Sequence, residues 1–253
     1  VQRGSRIEVN GTEEDPVVMT STNQQPGDWG GLVILGASTG TEGIDAIAEV
    51  GGFVYGGTNE ADNSGSISYL VINYAGAQIN AESQYNGLTL YTVGSGTTID
   101  NVAILNGTDD GVEFFGGTVS ASNFYLENNE DDAVDWTEGW NGTLTTTYVL
   151  HTIEGFSTAI EADGDDTFQG QPTIANFTAV SETGGTALQF KKETGATMTE
   201  ANLSGYDTNV EMRDNGDIGN VSVDGTPLTS PTDNVFNGTA VDPAIFSWVP
   251  GNE

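Results

Sequence analysis

Glu113, Asp135 and Glu161 occupy the same place in three similar runs, GVEF, AVDW and AIEA, at steps of 22 and 26 residues. Asp109 and Asp110 stand just before the first run, and Asp131 and Asp132 just before the second. Asp163 follows the third, with Asp165 and Asp166 in the adjoining turn. Carboxylates brought together at strand spacing repel unless a cation compensates them. Hard oxygen donors of this kind suit Ca²⁺, which takes six to eight oxygens at roughly 2.3–2.6 Å. The expected cation ligands are therefore Asp109, Asp110, Glu113, Asp131, Asp132, Asp135, Glu161 and Asp163; the competing reading is a solvated acidic face. Lys191, Lys192 and Arg213 fall beside the same ladder. They could serve a polysaccharide lyase, with a Lys or Arg abstracting the α-proton of a Ca²⁺-bound uronate. The blander role, neutralising adjacent carboxylates, is the favoured one.

The elements that would position these residues are short strands. Runs of four to seven β-branched or aromatic residues are separated by Asn-Gly, Gly-Gly, Ser-Gly and Asp-Gly turns. One series reads GLTL at Gly87, GVEF at Gly111, AVDW at Ala133, AIEA at Ala159, ALQF at Ala187 and NVEM at Asn209. A second interleaves with it at Asn101, Asn123, Thr147, Asn176, Asn202 and Asn220. Two strands per turn over six turns predict an all-β fold, a single parallel β-helix (solenoid) with short coil insertions.

Because side chains alternate across a strand, Val112, Val134, Ile160, Leu188 and Val210 should form one inward column. Phe114, Trp136, Ala162, Phe190 and Met212 should form the next. Thr89, Glu113, Asp135, Glu161, Gln189 and Glu211 point the other way. So do Phe115, Thr137, Asp163, Lys191 and Arg213. The whole chain, residues 1–253, reads as one domain, with a long insertion or loop around 37–66 and an irregular segment over 224–253. Thr41–Val50 is the one helix candidate, as a short helix or an ordered loop.

Composition narrows the function. Five Lys and Arg against 37 Asp and Glu give a net charge of −32, and there is no Cys and a single His. Such a chain cannot neutralise a phosphate backbone, so nucleic acid is excluded as a general partner. No apolar run is long enough for a spanning helix, so membrane insertion is not expected. Cys-ligated zinc and disulfides are excluded, and a conventional Ser-His-Asp triad has little to draw on. His151, in YVLHTIEG, reads as an ordinary strand residue. Tyr69, Tyr74, Tyr85, Tyr91, Phe115 and Trp140 could stack on sugars if exposed.

Arg3–Ser21, Gly27–Gly36 (GDWGGLVILG), Asp109–Val119 (DDGVEFFGGTV) and Asp131–Leu144 (DDAVDWTEGWNGTL) carry a resemblance. The sequence resembles a family of secreted bacterial surface proteins, mostly marine or Bacteroidetes-type, of the pectin-lyase-like β-helix superfamily. The resemblance implies the right-handed β-helix and an extracellular or cell-surface location; it brings no catalytic residue to this chain. The likeness is strong over residues 3–150 and rests on coil rhythm beyond them. The chain opens inside its first coil at Val1-Gln2-Arg3, which points to processing or to a segment of a longer polypeptide. The expected function is a structural or adhesive surface β-helix stabilised by divalent cations. With no polar capping helix at its start, it could associate head to tail into a filament. The alternative is a polysaccharide-binding module or a Ca²⁺-dependent lyase, with Lys191 and Arg213 as its catalytic residues.

Overall fold

The computed structural model describes residues 1–80, 83–165 and 171–252. The strands build two parallel sheets that face each other across the core. The short sheet stacks Leu32–Leu35, Leu88–Tyr91, Val112–Phe115, Val134–Thr137, Thr158–Ala162, Thr186–Lys191 and Thr208–Arg213 in chain order. Between them run the long strands Gly65–Asn73, Thr98–Leu105, Ala121–Glu127, Thr143–His151, Thr173–Ser181 and Ala196–Ser204. Ile7–Asn10 and Val17–Met19 pair with the first of these. Each strand hydrogen-bonds to the equivalent strand one turn on, which makes the chain a parallel β-helix.

The short-sheet register is the one the sequence repeat predicts. Leu88, Val112, Val134, Ile160, Leu188 and Val210 are direct partners in succession, and so are Thr89, Glu113, Asp135, Glu161, Gln189 and Glu211. The first inward column is buried throughout, and Phe114, Trp136, Ala162 and Phe190 are buried beside it. Phe114 stacks on Trp140 at 4.0 Å, and Trp136 lies 5.8 Å from Trp140 and 6.2 Å from Phe190. Tyr91, Phe115 and Trp140 are therefore packing residues, 1%, 6% and 0% exposed, and offer no sugar platform.

The second series needs correction. Asn101, Asn123 and Asn176 share a column, but its other members are Tyr69, Thr146 and Glu200 in place of the expected Thr147 and Asn202. Asn220 belongs to a different position. All six column members have positive φ, between 49° and 57°. This left-handed residue bends every long strand, and Asn adopts that conformation more readily than most non-Gly residues. The repeat of Asn reflects a backbone requirement that other residues also meet, so the motif slips where they do.

Both ends are covered in part. At the start, Val1 lies along the Leu32–Leu35 edge, its nitrogen donating to Val33 O at 2.6 Å and its carbonyl accepting from Leu35 N at 3.0 Å. At the far end Val221–Val223 turns back into an antiparallel strand, Thr226–Pro227, where a proline cannot donate to a further ladder. Leu228 and Phe236 close the core there. The irregular C-terminal segment then runs back over the outer face of the long sheet. Phe246, Trp248 and Val249 are buried against Val71, Ala103, Leu105 and Tyr125.

The insertion after Leu35 is not helical. Thr41–Val50 is made of turns and the strand Ala46–Ile47, which pairs antiparallel with Val54–Tyr55. Ala48, Val50 and Tyr55 pack onto Leu35, Tyr91 and Phe115, so this arm lies against the outer face of the short sheet.

Candidate metal centre

The acidic column points away from the core, as alternation requires, yet it is not solvated. Glu113 is 8% exposed and Asp135 9%. The insertion explains the difference: Thr41, Glu42 and Glu49 line a cleft together with Glu113, Phe115, Asp135, Thr137 and Glu138. A second cleft, of 320 Å³, opens beside it and is lined by Glu49, Gln78, Ser83, Gln84, Asn86, Asp109, Asp110, Glu113 and Asp131.

Among the described residues, carboxylate oxygens converge in two groups. Asp110, Glu113 and Asp135 place an oxygen each within 4.8 Å of one another, and Asp109, Asp110 and Asp131 do the same nearer the surface. Asp110 belongs to both. The turn preceding Gly111 sets Asp110 behind the column, where its Oδ1 accepts from Asp132 N at 3.0 Å. Glu113 accepts from Asn86 Nδ2. Asp135 Oδ1 is buried with no hydrogen-bond partner. A buried unpaired carboxylate oxygen is costly, and here it faces two further acids.

The remaining expected ligands have partners of their own. Asp132 accepts from Thr158 Oγ1. Glu161 is paired with Lys191, and Asp163 with Lys192 at 3.3 Å. Five of the eight expected ligands thus come together, and Asp132, Glu161 and Asp163 stand apart from both groups. Asp165 lines the cleft; Asp166 lies outside the described residues. Arg213 is held by Glu211 at 3.2 Å. Glu42, Glu49 and Glu138 complete the acidic surround and escaped the sequence reading, because the first two sit in a non-repeating insertion and the third in a corner after its strand. Tyr55 Oη donates to Glu138 Oε1 at 2.6 Å.

The electrostatics follow from this crowding. Burial raises the pKa values of Asp110, Glu113 and Asp135 well above the carboxylate range; the charge of Asp135 adds to this at Asp110 and Glu113, and the charges of Asp132 and Glu161 add to it at Asp135. Burial, then the charge of Asp131, pushes Asp109 up to about 7; burial, then Glu161, pushes Asp132 to about 8. His151 moves the other way, down to about 4, because it is buried. It stacks on Phe156 at 3.7 Å and bonds Tyr206 Oη through Nδ1, remote in role from the acidic face.

A carboxyl whose pKa is higher in the folded chain than in the unfolded one binds protons preferentially in the folded state. Its favourable contribution is complete below the unfolded pKa, near 4, and is lost as pH rises through the folded value. Without divalent cations the unfolding temperature should therefore fall as pH is raised from 5 to 8, as followed by circular dichroism in EDTA. A flat or rising profile would contradict this electrostatic picture.

A parallel β-helix with a carboxylate-lined cleft on one lateral face is the class these features define. The family model of the pectate-lyase-like β-helix domain matches residues 1–241, and the chain belongs to that family. No curated protein and no solved structure matches it.

Proposed function

We propose that this protein is a structural or adhesive β-helix of the bacterial cell surface or exterior, and that Ca²⁺ bound by Asp110, Glu113 and Asp135 is part of its fold. The observation that carries this reading is Asp135, whose Oδ1 is buried without a partner and whose carboxylate places an oxygen within 4.8 Å of oxygens of Asp110 and Glu113. A divalent cation supplies the missing partner and offsets the repulsion; Lys191 and Lys192 are already paired with Glu161 and Asp163. Asp109 and Asp131 extend the donor set toward solvent. Where the protein self-associates, the Thr208–Arg213 edge is the place for it, since no further strand pairs there among the described residues. Calorimetric titration of the metal-free chain with CaCl₂ tests the ion directly. Saturable uptake supports the reading, and heats no larger than those of dilution would remove it.

The second reading, a polysaccharide-binding or lyase face, is favoured by the family and by the amide groups of Gln78, Gln84 and Asn86 in the 320 Å³ cleft. A Lys or Arg base needs an unprotonated nitrogen, whereas the ion pair with Glu161 raises the pKa of Lys191 against the opposing effect of burial. We therefore expect no unsaturated product from alginate or pectate, followed by absorbance with and without Ca²⁺. Lys191→Ala should act on stability alone, costing about 2 kcal/mol by leaving Glu161 unpaired. Turnover by the wild-type chain that Lys191→Ala abolishes would establish the lyase reading instead.

A further inference from the structure

The arm formed by the insertion places negative charge where the helix face already has too much. Residues 37–57 contain no Lys or Arg, and Glu49 lines both clefts, beside Glu113 in each. Its charge is among those that disfavour ionisation of Glu113, Asp109 and Glu138. Packing and polar contacts together fasten the arm. Tyr55 packs 4.8 Å from Tyr91 and bonds Glu138; Arg3 pairs with Asp45 at 2.6 Å and donates to Gly56 O at 2.6 Å. Ala48 and Val50 are buried, while Ile44, Ile47, Phe53 and Val54 remain exposed. Backbone bonds such as Gly117 N to Thr39 O at 2.8 Å and Thr41 N to Glu138 O at 3.2 Å anchor its base, while the like charge at its tip, between Glu49 and the sheet, is what a counter-ion would offset.

We propose that Glu49 is a ligand of the same ion, contributed by the arm, so that cation uptake at Asp110, Glu113 and Asp135 fastens residues 37–57 to the short sheet. This rests on the cation reading above and adds to it a ligand from outside the repeat. The unpartnered Asp135 Oδ1 supplies the pull from the helix side, and Glu49 supplies it from the arm. Because ligand and strap are one segment, ion binding and arm closure are linked, and each must strengthen the other to the same degree.

The test uses the full chain and its Glu49→Gln variant, with Ca²⁺ affinity read by calorimetry and amide exchange read across residues 41–57. In the wild type, CaCl₂ should slow exchange in the arm. In Glu49→Gln the affinity should fall roughly tenfold, and the arm should exchange at its metal-free rate until Ca²⁺ is raised in proportion. Glu49 is exposed, and the substitution is nearly isosteric, so the fold should persist. Circular dichroism checks this. Wild-type affinity and arm protection in Glu49→Gln would overturn the inference and leave the cation reading standing. Failure of the wild-type chain to take up Ca²⁺ would overturn both.

Discussion

Truncating Trp136 to alanine should cost about 3–5 kcal/mol of unfolding free energy, the usual range for removing a buried large aromatic. Trp136 is 1% exposed, lies between Trp140 and Phe190, and its indole nitrogen reaches Thr194 Oγ1 at 3.3 Å. In a solenoid each coil is stabilised mainly by its neighbours. The cavity therefore weakens the coils on both sides of Val134–Thr137, including the ones that carry Glu113 and Glu161. Urea unfolding should show a lower midpoint, and Ca²⁺ affinity should fall with it. A loss under about 1 kcal/mol would mean that the aromatic column does not hold neighbouring coils together.

The second large effect is a reversal of sign at Asp135. In EDTA at pH 8, Asp135→Asn should be more stable than the wild type by about 1–3 kcal/mol, since a buried, unpaired carboxylate beside Asp110 and Glu113 becomes neutral. In CaCl₂ the order should invert. The wild type gains RT ln(1 + [L]/Kd), about 4.1 kcal/mol at a thousandfold excess over Kd, and the variant loses most of that gain. Paired thermal melts in the two buffers read both halves. A variant destabilised equally in EDTA and CaCl₂ would show that Asp135 serves packing and not an ion.

The site was legible in the sequence to the extent that it lies in the repeat. The steps between GVEF, AVDW and AIEA placed Glu113, Asp135 and Glu161 in one column, and the register bears this out. Alternation also assigned the core face correctly at Val134 and Trp136. Burial of the acidic column was not legible, because Thr41, Glu42 and Glu49, which line the cleft over Glu113 and Asp135, belong to an insertion that obeys no period. For the same reason Glu49 carried no signal, and Thr41–Val50 read as a short helix or an ordered loop, because the strand that pairs with its Ala46–Ile47 lies beyond it, at Val54–Tyr55. The long sheet was half legible. Its bend demands a left-handed residue, which Asn signals at Asn101, Asn123 and Asn176 but Tyr69, Thr146 and Glu200 satisfy without announcing it. The C-terminal clasp was hidden likewise, since Phe246 and Trp248 reach the outer face of the long sheet from a segment without strands.

The measurement closest to the central claim is thermal unfolding at low ionic strength in three buffers: EDTA, CaCl₂, and NaCl at the ionic strength of the CaCl₂ sample. Salt screens exposed charges generally but reaches buried ones poorly, so screening alone should restore little to a cluster built on Glu113 and Asp135. The account predicts the lowest unfolding temperature in EDTA, a small rise in NaCl and a clearly larger rise in CaCl₂ that saturates with concentration. Equal rescue by NaCl and CaCl₂ would contradict it.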